Sequence, residues 1–133
     1  MSPLRRTFTI AAALLVGVSC SDDPVGGVTQ AGTVTLRLTT PHADDGAVLF
    51  EVSGPPIDSA TADNASLRLF TRRAGETTII GAMVGVVTNG AEVTLHVPDA
   101  GAAVGYTAEV LEVADRENAL RTSLAGYALT VGP

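Results

Sequence analysis

Residues 79–97 read IIGAMVGVVTNGAEVTLHV. The first nine, Ile79 to Val87, are apolar almost throughout and carry β-branched side chains, which suits a central strand of a sheet. Asn89-Gly90 follows, a dipeptide that accepts the left-handed backbone of a tight turn. Beyond it, Val93, Leu95 and Val97 alternate with Thr94 and His96, the period-two signature of a strand with one buried face, and the run stops at Pro98-Asp99. The spacing predicts a β-hairpin built on a central strand. A membrane-crossing role for Ile79–Val87 fails on length, because nine apolar residues cannot cross a bilayer as a helix.

The same alternation continues towards the N-terminus. Val34, Leu36 and Leu38 alternate with Thr35 and Arg37; Val48, Phe50 and Val52 alternate with Leu49 and Glu51; Leu67 and Leu69 alternate with Arg68 and Phe70. Towards the C-terminus, Tyr106, Ala108 and Val110 share one face of a predicted strand over 105–113, and Tyr127, Leu129 and Val131 share one face of a final strand over 127–131. The intervening AEVLEVADRENALRTSLAG is rich in helix formers and ends at Gly126, so a helix over about 108–124 competes with that strand. The β-branched residues and Tyr106 favour the strand, with a short helical turn near 115–122.

About seven short strands in about 100 residues predict an all-β fold, a two-sheet antiparallel sandwich of immunoglobulin-like type. The segments Gly46–Ser53 (GAVLFEVS) and Val93–Asp99 (VTLHVPD) resemble strands of the cohesin-like sandwich modules of bacterial surface proteins. That resemblance implies a protein-binding module. It rests on strand patterns rather than a diagnostic motif.

The N-terminus has a different character. Residues 1–20, MSPLRRTFTIAAALLVGVSC, show a basic start at Arg5-Arg6, an apolar stretch from Ile10 to Val18 and small residues before Cys20. This is the organisation of a secretory signal peptide, and its apolar stretch is too short for a spanning helix. Val16-Gly17-Val18-Ser19-Cys20 resembles the lipobox of bacterial lipoproteins, although Gly17 stands where that family usually has Leu. The resemblance implies removal of residues 1–19 and lipidation of Cys20. Arg5-Arg6-Thr7-Phe8 is similar to a twin-arginine export motif, but Thr9 stands where that motif prefers an apolar residue, which favours an ordinary Sec signal. Ser21-Asp22-Asp23 resembles the acidic tract that sends some lipoproteins to the outer face of the outer membrane; a solvated tether is the alternative. Residues 20–31 therefore read as a lipidated cysteine and a Gly/Pro-containing flexible linker, and 32–133 as the folded domain.

Charge narrows the partners. All eight basic residues are arginines, and two precede Cys20, whereas all 14 acidic residues follow it, leaving a net charge of −8 beyond the cysteine. Such a surface repels phosphate backbones, so nucleic acid is not an expected partner. Cys20 is the sole cysteine, so no disulfide braces the domain.

No catalytic constellation emerges. G-x-S-x-G, P-loop and G-x-G-x-x-G patterns are missing, and the two histidines stand alone, His42 beside Pro41 in an expected loop and His96 facing outward from a strand. Zinc has no ligand set. Calcium has candidate oxygen donors in Asp44-Asp45, Asp58, Asp63-Asn64 and Asp115-Glu117-Asn118, without an EF-hand spacing. Gly81 and Gly85 form a G-x-x-x-G inside a strand, where close backbone packing is the expected role. Phe50, Phe70, Tyr106 and Tyr127 mostly suit core positions rather than a sugar platform, and Asn64-Ala65-Ser66 is a coincidental glycosylation sequon. The expectation is a non-enzymatic, lipid-anchored protein of the bacterial cell envelope, at the outer membrane or cell surface, with the periplasmic side as the alternative. It needs no cofactor or metal, is held to the membrane by its lipid, and mediates protein contact or structure with an envelope protein as partner. The alternative is a calcium- or small-ligand-binding accessory lipoprotein.

Overall fold

A computed structural model describes residues 29–133, so the signal peptide, Cys20 and most of the linker lie outside the described residues. Eight strands form two antiparallel four-stranded sheets packed face to face as a sandwich. The strands are β1 (Gly32–Thr39), β2 (Asp45–Ser53), β3 (Ser59–Ala62), β4 (Leu67–Arg73), β5 (Thr78–Val87), β6 (Glu92–Val97), β7 (Thr107–Asp115) and β8 (Ala128–Gly132). One sheet has the order β3-β6-β1-β8 and the other β4-β5-β2-β7.

The alternating residues do what their period demands. Val34, Leu36 and Leu38 of β1 and Val93, Leu95 and Val97 of β6 project from one sheet into the core. They meet Val48, Phe50 and Val52 of β2 and Ile79, Met83 and Val87 of β5 from the other. Each such side chain contributes on the order of 1.5–3 kcal/mol when removed from water, and with no disulfide within the domain this layer carries its stability.

The expected β5–β6 hairpin does not form. β5 is central in its sheet, as predicted, but pairs with β2 and β4, whereas β6 pairs with β1 and β3. Both strands carry a complete set of core side chains, so they serve opposite layers, and the Asn89-Gly90 turn (Gly90 φ +87°) carries the chain across. The crossing is tied to the end of β1: the Asn89 carboxamide oxygen accepts from the Thr40 amide at 3.1 Å, the Gly90 amide donates to the Leu38 carbonyl at 2.8 Å, and the Leu38 amide donates to the Ala91 carbonyl at 2.8 Å. The consecutive strands that do pair are β4 and β5, joined around Gly75.

The C-terminal third is strand, not helix, over Thr107–Asp115. Val110 and Val113 are both buried although they stand three residues apart, a spacing that reads as helical. The sheet accommodates it with a bulge: Phe50 faces Val110 while Leu49 faces Glu112, leaving Leu111 as the extra residue. Residues 115–122, where a helical turn was expected, form a tight loop instead. One Asp115 carboxylate oxygen accepts the Glu117 and Ala119 amides, both at 2.9 Å, and Asn118 takes a left-handed φ of 65°. The helical segment is a 3-10 turn over Ala100–Gly105, capped by Asp99, which accepts from the Gly101 amide at 3.0 Å. The eighth strand, β3, had no sequence signal, because its SATA offers only the small Ala60 and Ala62 to the core.

Candidate functional site: an apolar outer sheet face

The face of the β4-β5-β2-β7 sheet turned away from the core carries apolar side chains where solvent contact predicts polar ones. On β5, Ile80, Ala82, Val84 and Val86 alternate with inward-facing positions; on β2, Ala47 and Leu49 do the same; on β4, Phe70 projects outward with 59% of its surface exposed. Leu111, pushed out by the bulge, joins them. Phe70, Arg72, Ile80, Ala82, Leu49 and Leu111 line an open groove of about 480 Å³.

Strand register orders this face into rows. Arg72, Ile80, Glu51 and Glu109 form one row; Phe70, Ala82, Leu49 and the Leu111–Glu112 bulge form the next; Arg68, Val84, Ala47 and Ala114 form the third. The apolar stripe therefore has a basic margin on β4, with Arg68 and Arg72, and an acidic margin on the other side, with Glu51, Glu109 and Glu112. Among the described residues none of these five charges makes an ion pair or side-chain hydrogen bond.

The calcium candidates are dispersed, and most of their side chains have other work. Among the described residues no three acidic, histidine or cysteine side chains converge around a possible ion. Asp63 accepts the Thr94 hydroxyl at 2.7 Å, Asn64 accepts the Ser66 amide at 2.9 Å, and Asp115 organises its own loop. At Asp58 it is the backbone carbonyl that is used, accepting from Arg73 together with the Ile57 carbonyl. Asp45 is fully buried at the sandwich end, where it accepts from Arg121 (2.9 and 3.1 Å), Tyr127 (2.9 Å) and Thr40. Asp44, outside it, takes a further bond from Arg121 at 2.6 Å, and that hydrogen bond lowers its pKa below the ordinary carboxylate value. This cluster is a polar clasp. His42 is in the β1–β2 connection, stacked on Tyr127 with ring centroids 5.9 Å apart, and exposed His96 has only Thr61 near its Nε2 at 3.4 Å.

The clasp has a pH signature. Burial, with Asp45 adding to it, raises the Tyr127 pKa above the ordinary 10.0, against opposing hydrogen bonds from Thr40 and Arg121. Tyr106, whose hydroxyl donates to the Pro56 carbonyl at 2.7 Å, is raised by burial and by the charges of Asp99 and Asp58. A raised tyrosine pKa means the folded chain holds the proton more tightly, so this stability is complete below 10.0 and is lost as the pH rises through the folded value. Denaturant midpoints measured from neutral pH upward should fall once the pH passes that point. Tyr127→Phe should make the alkaline fall shallower, with the remainder carried by Tyr106; an unchanged slope would remove Tyr127 from the account.

Of the aromatics, Phe50 and Tyr106 are core residues as expected, Tyr127 is half-buried in the clasp, and Phe70 is on the surface. Its exposure was foreshadowed by its alternation with Leu67 and Leu69. The outward Ile80, Ala82 and Val84 were hidden by the continuous apolarity of β5, which conceals which side chains lack a core to enter. Cys20 lies outside the described residues. Compared with protein families, curated proteins and solved structures, the chain matches none.

Proposed function

We propose that this chain is an exported, lipid-anchored envelope protein, displayed at the outer membrane or cell surface, whose sandwich acts without catalysis as a protein-contact module. The observation that carries the contact role is the apolar outer face centred on Phe70, Ala82 and Leu49. A contiguous apolar patch rimmed by charge on a small domain is the usual mark of an interaction surface. The anchor reading is supported by the signal-like segment before Cys20 and by its being the one cysteine in the chain. Acyl chains on Cys20, each contributing about 0.8 kcal/mol per buried CH₂, would hold the protein at a membrane without a spanning element.

Protease accessibility on intact cells, with membrane fractionation of wild type and Cys20→Ala, tests the anchor. The expected result is a wild type in the membrane fraction and shaved by protease, and a variant released into the soluble fraction. A soluble, protected wild type would overturn lipid anchoring and surface display together.

A further inference from the structure

We propose that the occupant of the apolar outer face is a second copy of this chain, docked face to face about a two-fold axis; this rests on the contact reading above. The argument is self-complementarity. A two-fold axis between the facing sheets, parallel to the strands and above the β5–β2 seam, lays β4 of each copy over β7 of the other and preserves the rows.

In the first row, Arg72 then faces Glu109 of the second copy and Ile80 faces Glu51, so the guanidinium reaches the paired acids. In the second row, Phe70 faces the Leu111–Glu112 bulge and Ala82 faces Leu49. In the third, Val84 faces Ala47. One operation makes the Arg72–Glu109 pairing twice, the geometry of an isologous contact, while Arg68 faces the small Ala114 in the third row. Glu51 and Glu109 are direct cross-strand neighbours, a like-charge pairing that disfavours the isolated sheet and that an incoming arginine relieves. Small Ala82 and Ala47 at the centre leave a shallow trough for the facing Leu49 and Val84 side chains, and two twisted sheets pack this way at about 30°.

The size of the face sets the strength. Four strands about 4.8 Å apart and seven to ten residues long give a face of roughly 19 by 30 Å. That is smaller than the about 800 Å² per partner of a standard stable complex, so the dimer is weak and concentration-dependent. Confinement of anchored chains to one membrane raises their effective concentration and favours it there.

The test is photo-crosslinking of the full chain in cells, with p-benzoylphenylalanine placed at Ala82 on the face and at Thr130 on the opposite sheet as control. The expected result is a product of twice the chain mass from position 82 and none from 130. Arg72→Glu and Glu109→Arg should each lower the yield by about tenfold, since both bring like charges together, and the double exchange should restore it to within about twofold. All four residues are on the surface, and unchanged melting of each variant checks that folding is intact. A product of a different mass from position 82 would overturn the second copy while leaving the contact face standing. No product there, or no rescue by the double exchange, would overturn the dimer, and the former would take the contact reading with it.

Discussion

Asp45→Ala is expected to lower the unfolding free energy by about 3 kcal/mol, at the lower end of what breaking a buried ion pair costs. The carboxylate is fully buried and is the shared acceptor for Arg121, Tyr127 and Thr40. Its removal leaves three donors turned towards an empty acceptor site. Arg121 tempers the loss, because it is partly exposed and keeps its bond to Asp44. Asp45→Asn should fall between the two, since a carboxamide of the same size offers one acceptor oxygen and two hydrogens to a site that needs only acceptors. Combining Asp45→Ala with Arg121→Met should cost less than the separate losses added together, because the second change removes the orphaned charge. Urea melts at neutral pH of the wild type, the two Asp45 variants, Arg121→Met and the double variant decide this. A loss below about 1 kcal/mol for Asp45→Ala would mean that water replaces the carboxylate and that the clasp is incidental.

The second large effect is expected where Phe50 meets Gly81. Phe50 is fully buried on β2, and its ring occupies the space where a Cβ on Gly81, directly opposite on β5, would stand. Phe50→Ala should therefore cost about 3–5 kcal/mol by opening a ring-sized cavity. Gly81→Ala should cost about 1–3 kcal/mol by forcing the ring off its site. The two changes act on the same volume, so the double variant should be more stable than additivity predicts, its new methyl occupying part of the cavity. Additive losses in a double-mutant cycle would show that the ring does not depend on the missing side chain.

That pair shows what in this chain was legible. G-x-x-x-G within an apolar strand points to close approach, and Phe50 in an alternating strand points to the core, but neither says that they meet. Strand existence followed from period-two burial, which is local. Sheet membership did not, since Asn89-Gly90 suits a hairpin and a crossing between layers equally, and only the competition of all eight strands for partners decides. The bulge in β7 was illegible for a related reason: it turns Val110 and Val113 to the same face of the strand without a mark in the sequence. Of the candidate site, only Arg68 and Glu51 among the marginal charges were visible, as alternating positions on their strands. Its apolar centre was not, because β5 is as hydrophobic outward as inward. Cys20 stands on motif resemblance, independent of the fold.

The clasp also bears on when the domain can form. Asp45 stands near the start of the folded region, while its partners Arg121 and Tyr127 follow 76 and 82 residues later. β1, in the middle of its sheet, likewise waits for β8 at Ala128–Gly132 to cover one side. A nascent chain that has reached only β7 would bury an acid with no cation opposite it and leave β1 half-paired. Contacts this distant in sequence are slow to close. The arrangement makes completion of the sandwich wait on residues 121–132, so its early and late halves close together or not at all.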